Sequence, residues 1–363
     1  MRVDGSQQSH EGNRNSRRIW RGLFEAHGPS RSGGAARAGR LEDEAFSINY
    51  RDLLVVNGVG RWKPSVGRIP LSDGVGIVVA VGDGVSRVKV GDRVAPIFYP
   101  NWLEGRVAAK KAGQALGGAA ADGVLAEYTL FDEASLVHVP AHLTDEEGAT
   151  LPCAGITAWN AVCLGNIKPG DSLVVLGTGG VSIFALQFAR FLGARVIVTS
   201  SSEQKLARAK ELGAAAVINY KTEPDWPKAV VELTDGLGAD YVVDTVGGLK
   251  ESIAAVRLGG TVAFVGMLIG MTSEVDLVTF MGKCARVEAV DVGSREMFEA
   301  MNKAIAFHAM RPVVDRVFGF SELPEALSYL REARHFGKVC LRAQFKNFPE
   351  RDGRNSLAPL RTD

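Results

Sequence analysis

A glycine cluster near the middle of the chain has the spacing that most directly suggests chemistry. Gly177, Gly179 and Ser182 occupy the three fixed positions of a G-x-G-x-x-G pattern, with serine in the last place. The first glycine permits a tight turn, and the second lets the backbone approach a pyrophosphate. The N–H groups at Gly180 and Val181 would open a helix that attracts negative charge. The cluster predicts a dinucleotide-binding turn, and a glycine-rich turn without a ligand is the alternative.

The segments on either side of this cluster are those that a dinucleotide site needs. The apolar run at 172–176 predicts a buried strand, and apolar residues at helical spacing continue to Leu192. Gly193 is typical of a helix end, and 195–199 is a second β-branched run. This order predicts a β-α-β unit with a parallel sheet, which favours the cofactor over an empty turn.

The end of the second strand indicates which nicotinamide cofactor would bind. Enzymes that use NAD place an acidic side chain there to accept a hydrogen bond from the ribose 2′-OH. Ser200 holds that place here, and Lys205 follows shortly after it. The sequence therefore favours NADP(H), whose 2′-phosphate a serine and a lysine would accept.

Composition limits the classes of partner. The chain has 363 residues, a net charge of +1 and an apolar content of 46%, which suits about two globular domains. A near-neutral balance gives no reason to expect nucleic acid or an anionic membrane, so the expected partner is a small-molecule substrate. Four well-separated cysteines without a CxxC pair predict a reducing, cytoplasmic location. No segment predicts a membrane span or a signal peptide.

Patterning divides the chain into five segments. An Arg- and Gly-rich start predicts disorder, with order beginning near Phe46. Short valine-rich runs between Gly-Asp turns at 72–94 predict a small antiparallel barrel, and strand-helix alternation after Ser172 predicts about six parallel strands. The predicted segments are 1–45 as an atypical start, 46–155 as the catalytic domain, 156–310 as the NADP-binding domain, 311–342 as a return to the catalytic domain and 343–363 as a tail.

At this level of detail the chain resembles the medium-chain dehydrogenase/reductases. The likeness covers residues 46–342 and rests on the stretches INYRDLLV, DGVLAEY, LPCAGITAWNAV, LGTGGVS and HFGKV. It implies an α/β fold with a GroES-like β-barrel domain and a Rossmann domain, a doubly wound parallel sheet, with the active cleft at their junction. Residues 1–44 do not resemble the first strands of the family.

The resemblance also bears on metal. In zinc members of the family a cysteine matches Asn49, a histidine and a glutamate lie in the segment matching Ser72 and Asp73, and a second cysteine matches Cys153. Only Cys153 is kept, and a catalytic zinc needs about three protein ligands. The four-cysteine structural loop of the family corresponds to residues 102–122, which contain no cysteine. We therefore expect no metal, and a likeness to the zinc-lacking quinone and enoyl reductases.

Further cofactor residues follow from the resemblance alone. Lys205 and Tyr220 match a lysine and a tyrosine that hold the 2′-phosphate in quinone reductases. Thr157, Gly266 and Lys338 match positions that line the nicotinamide or the pyrophosphate. The alternatives are that Lys205 is a solvated helix residue and that Tyr220 is a capping aromatic.

The expected reaction is zinc-independent, NADPH-dependent hydride transfer to an activated C=C bond of an enal or enone, or to a quinone. Asn49 and Tyr50 are the candidate catalytic residues, which would hydrogen-bond the substrate carbonyl beside a wall that includes Phe98 and Trp102. Two alternatives stay open: an alcohol dehydrogenase acting on an alcohol or aldehyde, and a cofactor-binding protein without turnover, as in crystallin-like or RNA-associated members. We also expect a homodimer.

Overall fold

The computed structural model describes residues 38–343, and every structural statement below refers to that part of the chain. It contains thirteen strands, which we number in chain order. They are β1 (Ala38–Ile48), β2 (Asp73–Val81), β3 (Arg93–Pro96), β4 (Tyr128–Asp132), β5 (Leu136–His138), β6 (Ser172–Leu176), β7 (Arg195–Ser200), β8 (Ala216–Asn219), β9 (Ala239–Asp244), β10 (Val256–Phe264), β11 (Arg286–Ala289), β12 (Val314–Gly319) and β13 (Lys338–Arg342).

The helices connect these strands and cover the parallel sheet. The α-helices are α1 (Tyr50–Val56), α2 (Ala109–Ala112), α3 (Asp145–Ala149), α4 (Ile156–Leu164), α5 (Gly180–Phe191), α6 (Glu203–Glu211), α7 (Trp226–Leu233), α8 (Leu249–Ala255), α9 (Leu277–Gly282), α10 (Arg295–Phe307) and α11 (Leu323–Arg331). Short 3₁₀ turns lie at Gly60–Trp62, Glu133–Ser135 and Phe320–Glu322, and a π-helical turn lies at Leu151–Gly155.

The first sheet is mostly antiparallel and is organised around β1. It has seven strands in the order β12-β13-β1-β2-β3-β5, with β4 also paired to β1. The last two strands of the chain therefore return to the N-terminal sheet, where β12 and β13 pair in parallel. The prediction that order begins near Phe46 is wrong, because the strand begins at Ala38. Its alternating apolar residues, including the fully buried Leu41, fill the sheet core although the segment just before them is rich in Arg and Gly.

The second sheet confirms the predicted doubly wound arrangement. It has six strands in the order β11-β10-β9-β6-β7-β8, and the pairings of these strands are parallel. The strand order reverses between β6 and β9, and ligands bind at the carboxyl ends of strands at such a switch point. Since β6 leads into the glycine cluster, the fold places that cluster at the switch point.

A local difference from expectation occurs where the two sheets meet. The sequence from Thr144 to Ala161 predicts one helix, and the expected start is confirmed: the Thr144 side chain accepts a hydrogen bond from the Glu147 N–H at 3.2 Å. The helix is then interrupted, because Pro152 has no N–H to continue the ladder. Instead, the Gly155 N–H bonds the carbonyl of Thr150 at 3.2 Å, five residues back.

The cores show how the two sheets are joined. One buried cluster contains Val75 and Phe98 from the first sheet region together with Phe184 and Phe188 from α5, so packing is continuous across the junction. A second cluster lies within the antiparallel sheet, and a third covers the other face of the parallel sheet. The boundaries at 155/156 and 310/311 stay predictions, and residues 1–37 and 344–363 lie outside the described residues. None of the described helices is long and apolar enough to span a membrane.

Candidate cofactor and substrate site

The glycine turn adopts the geometry that its residue types predict. Gly177 has φ of +77°, in the left-handed region that favours glycine, and its N–H donates to the Thr199 carbonyl at 2.9 Å. Gly179 immediately precedes the first residue of α5. The serine in the third place of the pattern also has a clear role, since Ser182 Oγ donates to the Leu176 carbonyl at 2.8 Å. The serine therefore ties the helix to the strand that it must pack against.

The other domain approaches this turn closely. A Cβ added to Gly180 would lie 2.5 Å from Cδ of Lys338 and 3.3 Å from Cβ of Ala154. The Gly337 N–H also donates to the Thr178 carbonyl at 3.0 Å. The chain entering β13 is thus fastened across the glycine turn, and the lack of a side chain at Gly180 is what makes room for Lys338.

The three residues expected at the 2′-phosphate belong to neighbouring elements at one end of the parallel sheet. Ser200 ends β7 and is buried, and its carbonyl accepts from the Tyr220 N–H at 3.2 Å. Lys205 lies in the first turn of α6 and donates through Nζ to the Ala333 carbonyl at 2.6 Å. Burial lowers the pKa of Lys205, the Arg208 charge lowers it further, and Asp315 opposes both.

Two more predicted cofactor residues are held by tight backbone or side-chain contacts. The Gly266 N–H donates to the Asp244 carbonyl at 3.1 Å, and a Cβ at Gly266 would lie 1.8 Å from the Thr245 carbonyl oxygen. Thr157 is buried in α4, and its Oγ1 donates to the Cys153 carbonyl at 2.6 Å. Gly266 is therefore sterically obligatory, whereas the Thr157 hydroxyl proton is already engaged.

On the catalytic side, Asn49 is the centre of a buried polar network. Its Nδ2 donates to Asp73 Oδ2 at 2.9 Å, and its Oδ1 accepts from Lys338 Nζ. The same ammonium donates to the Ile48 carbonyl at 2.9 Å. Asn49, Asp73 and Lys338 are all buried, so the carboxamide of Asn49 links a buried carboxyl group to a buried ammonium at the start of α1.

Two members of this network, Asn49 and Asp73, lie in segments that the resemblance relates to zinc ligands, and Cys153 belongs to the third such segment. Burial raises the pKa of Asp73 to about 6, although Lys338 and the hydrogen bonds from Asn49 and Ser72 oppose the shift. Burial also raises the pKa of the Cys153 thiol well above its usual range, and the charge of Asp73 raises it further. Asn49 is not a usual zinc ligand, and Asp73 already accepts hydrogen bonds from Asn49 and Ser72, so this donor set differs from that of a catalytic zinc. Among the described residues, no cluster of three His, Cys, Asp or Glu side chains could hold a metal.

Tyr50, Phe98 and Trp102 differ in their exposure. Tyr50 begins α1 with 41% of its surface exposed, as a residue that meets a substrate could be. Phe98 and Trp102 are buried, and the Trp102 indole N–H donates to the Gly105 carbonyl at 2.8 Å. These two rings therefore pack mainly in the core and do not form the exposed substrate wall that the sequence predicts.

Sequence reasoning missed two polar residues near Asn49. Asp73 received attention only as part of a lost zinc segment, yet it anchors the network. Arg51 lies partly buried, donates to the Leu116 carbonyl at 2.8 Å and sits over the Phe98 ring at 5.1 Å. Its partners come from segments far along the chain, so spacing gave no signal for it. The stretch Asn49-Tyr50-Arg51-Asp52, four polar residues in succession at the start of α1, was the available clue.

Comparison with family models matches both halves of the chain. Residues 40–141 match the alcohol dehydrogenase GroES-like domain, and residues 180–306 match the zinc-binding dehydrogenase domain. A zinc-type alcohol dehydrogenase-like protein of Schizosaccharomyces pombe is 40% identical over 309 residues, which cover 82% of this chain and 89% of the relative.

Solved structures give the same result. The chain superposes on an NAD-dependent alcohol dehydrogenase with a TM-score of 0.78 and 34% identity, covering 87% of this chain and 94% of the other. It also superposes on the 2-octenoyl-CoA carboxylase reductase CinF in complex with NADP and 2-octenoyl-CoA. That match has a TM-score of 0.75 and 26% identity and covers 86% and 80% of the two chains.

Proposed function

Because this chain belongs to the medium-chain dehydrogenase/reductase superfamily and is an NAD(P)-dependent oxidoreductase of the alcohol dehydrogenase-like type, we propose a narrower activity for it. It reduces an activated C=C bond of an enal or enone, or a quinone, with NADPH and without zinc. The single observation that carries this proposal is the Lys338–Asn49–Asp73 network. It engages the side chains of Asn49 and Asp73 in hydrogen bonds, and these two residues lie in segments that carry metal ligands in related enzymes.

The donor set explains why the reaction class would change. Conversion between an alcohol and a ketone needs a strong electrophile at the oxygen, a role that zinc performs as a Lewis acid. Here both polar atoms of Asn49 already have partners, and Asp73 accepts hydrogen bonds from Asn49 and Ser72. Conjugate reduction asks less of the protein, because the developing negative charge is delocalised over an enolate and can be stabilised by hydrogen-bond donors.

The protein's own residues then have separate tasks. NADPH, when bound, supplies hydride to the β-carbon of the substrate. The Tyr50 hydroxyl, exposed at the start of α1, donates to the substrate carbonyl as the enolate forms, and water returns a proton to the α-carbon. Asn49 acts differently from expectation: since its side chain bonds Asp73 and Lys338, it orients α1 and supports Tyr50 more than it contacts the substrate.

The preference for NADPH rests on three residues at one end of the parallel sheet. Ser200, the last residue of β7, replaces the acid that would repel a 2′-phosphate. Tyr220 bonds the Ser200 carbonyl, and Lys205 lies in the first turn of α6. To bind the 2′-phosphate, Lys205 must give up its hydrogen bond to the Ala333 carbonyl. Because the phosphate is a charged acceptor and the carbonyl a neutral one, this change favours cofactor binding. The likeness to a reductase solved with NADP supports the same choice.

The homodimer also stays a proposal, with one structural argument in its favour. Strand β11 is an edge strand whose residues are all exposed, and the neighbouring helix α9 exposes Leu277, Val278 and Met281. Unpaired edges next to apolar surface are commonly covered by a partner. Pairing of two β11 strands would cover both. The cytoplasmic location rests on the four cysteines, all unpaired.

NADPH oxidation across a substrate panel tests the proposed function. The panel contains enals, enones and quinones, with simple ketones as the comparison class and primary alcohols with NADP⁺ as the reverse assay. We expect turnover on the conjugated compounds and little on the saturated ones. Turnover confined to alcohols and saturated ketones would favour a dehydrogenase instead, and cofactor binding without turnover would indicate a non-catalytic member.

A further inference from the structure

The segment joining α11 to β13 lies directly over the glycine turn. Gly337 and Gly179 form an isolated parallel bridge, and the Gly337 N–H bonds the Thr178 carbonyl at 3.0 Å. Two residues earlier, His335 occupies the side of this segment that faces the turn. Its Nε2 is 3.9 Å from the point where a Cβ on Gly179 would lie. His335 therefore borders the space above the backbone that a pyrophosphate would approach.

The two ring nitrogens of His335 lie in different surroundings. Nδ1 is buried and has no hydrogen-bond partner, whereas Nε2 faces Gly179. An unpaired buried N–H group is rarer in proteins than an unpaired buried acceptor. The neutral ring therefore carries its hydrogen on Nε2, where it can be donated.

The charge state of the ring agrees with this tautomer. Burial, together with the positive charges of Lys205 and Lys338, lowers the pKa of His335 to about 4 against the opposing charge of Asp315. The ring is accordingly a neutral group at pH 7. A neutral ring with hydrogen on Nε2 is a single donor, and Nε2 is the ring nitrogen that lies near Gly179.

We propose that His335 binds the pyrophosphate of the dinucleotide by donating its Nε2–H to a phosphate oxygen. This inference rests on the proposed function in one respect, namely that a nicotinamide dinucleotide occupies the turn at Gly177–Ser182. It extends the phosphate site from the helix N-terminus of one domain to a side chain of the other. The 2′-phosphate is assigned to Lys205, so the two residues serve different phosphates.

This division has a measurable consequence. The pyrophosphate is common to NADH and NADPH, whereas the 2′-phosphate belongs to NADPH alone. Loss of the His335 donor should weaken both cofactors by the same factor, in contrast to loss of Lys205.

Calorimetric titration of the full chain with NADPH and with NADH tests the assignment. The variants are His335→Gln, whose amide nitrogen reaches the position of Nε2, and His335→Asn, whose amide is too short to reach it. We expect His335→Asn to weaken both cofactors by roughly tenfold, the effect of one hydrogen bond to a charged group, and His335→Gln to bind close to wild type. His335→Leu fills the same space without a donor and should match His335→Asn. His308→Asn changes a histidine that stacks on Phe191 and serves as the control.

The outcomes separate the possible roles. Unchanged binding in His335→Asn and His335→Leu would overturn the assignment. Equal loss in the Gln and Asn variants would show that the ring acts only through packing, and a loss confined to NADPH would move the residue to the 2′-phosphate. If the wild-type protein bound neither dinucleotide, the proposed function itself would fall, and the inference with it.

Discussion

The glycine turn and the buried network around Asn49 meet at Lys338, yet they are built in opposite ways. The turn is contiguous in sequence, and its backbone does most of the binding, through N–H groups and the absence of side chains. The network draws Asn49, Asp73 and Lys338 from three separate segments, with Lys338 far along the chain from the other two, and works mainly through side chains. The stem of Lys338 crosses Gly180 while its ammonium reaches Asn49, so a single residue belongs to both.

The difference shows which half of the site can change while the fold persists. Backbone geometry is set by the parallel sheet and by a few small residues, so a dinucleotide site is retained as long as those residues are. Side chains on separate segments of the chain can be exchanged one at a time. In this chain Lys338 donates hydrogen bonds to Asn49 and to the Ile48 carbonyl, beside the segments that the resemblance relates to metal ligands.

The largest effect on stability should come from a glycine on the cofactor side of the site, where backbone segments approach closely. In Gly266→Ala the new Cβ would lie 1.8 Å from the Thr245 carbonyl oxygen, so the strand ends must move apart. We expect a loss of stability of about 4 kcal/mol or more, with cofactor binding lost. Thermal unfolding and cofactor titration measure both. Gly282→Ala is the control, since nothing lies within 4 Å of its added Cβ. A folded Gly266→Ala variant with normal NADPH affinity would contradict the close approach.

The next effect concerns the buried network and its dependence on pH. The pKa of Asp73 is about 6 in the folded protein, above its ordinary value of 3.8, so ionising it opposes folding. That cost is absent below about pH 4 and complete above about pH 6. A shift of this size corresponds to about 3 kcal/mol. Relative to wild type, the free energy of unfolding of Asp73→Asn should rise by about 3 kcal/mol from pH 4 to pH 8, as measured by denaturant unfolding.

The comparison between the two pH values removes constant effects of the substitution, such as the loss of one acceptor for Ser72. Parallel stability curves for wild type and Asp73→Asn across this range would mean that Asp73 does not titrate above its ordinary range.

A smaller effect is expected for cofactor choice. Lys205→Ala removes one charged contact to the 2′-phosphate and should weaken NADPH roughly ten- to a hundredfold. NADH affinity should change little, because Lys205 otherwise bonds only the exposed Ala333 carbonyl. Dissociation constants for both cofactors provide the measurement, with Lys210→Ala on the same helix as the control. Equal weakening of both would remove Lys205 from the 2′-phosphate.

The smallest effect should be that of the exposed tyrosine. Tyr50→Phe deletes one hydrogen bond to the developing enolate, so kcat and kcat/KM should fall together by roughly tenfold with NADPH binding intact. Steady-state kinetics on an enone substrate give the answer. Unchanged rates would take Tyr50 out of the mechanism without affecting the proposed reaction class.

The sequence predicted the glycine turn better than the buried network around Asn49. The strand, glycine turn and helix at 172–192 are visible in the sequence because their periodicity and small residues are determined locally. The start of β1 at Ala38 was missed because its partners, β2, β4 and β13, lie far along the chain. His335 and Asp73 were missed for the same reason: a single polar residue shows its surroundings only after folding.

Zinc content measured together with activity tests the central claim most directly. Purified protein is analysed for metal, and its NADPH-dependent rate on an enone or quinone is compared before and after dialysis against a strong chelator. We predict zinc far below one atom per chain and an unchanged rate. One tightly bound zinc per chain, lost on chelation together with the activity and restored with it, would contradict the account.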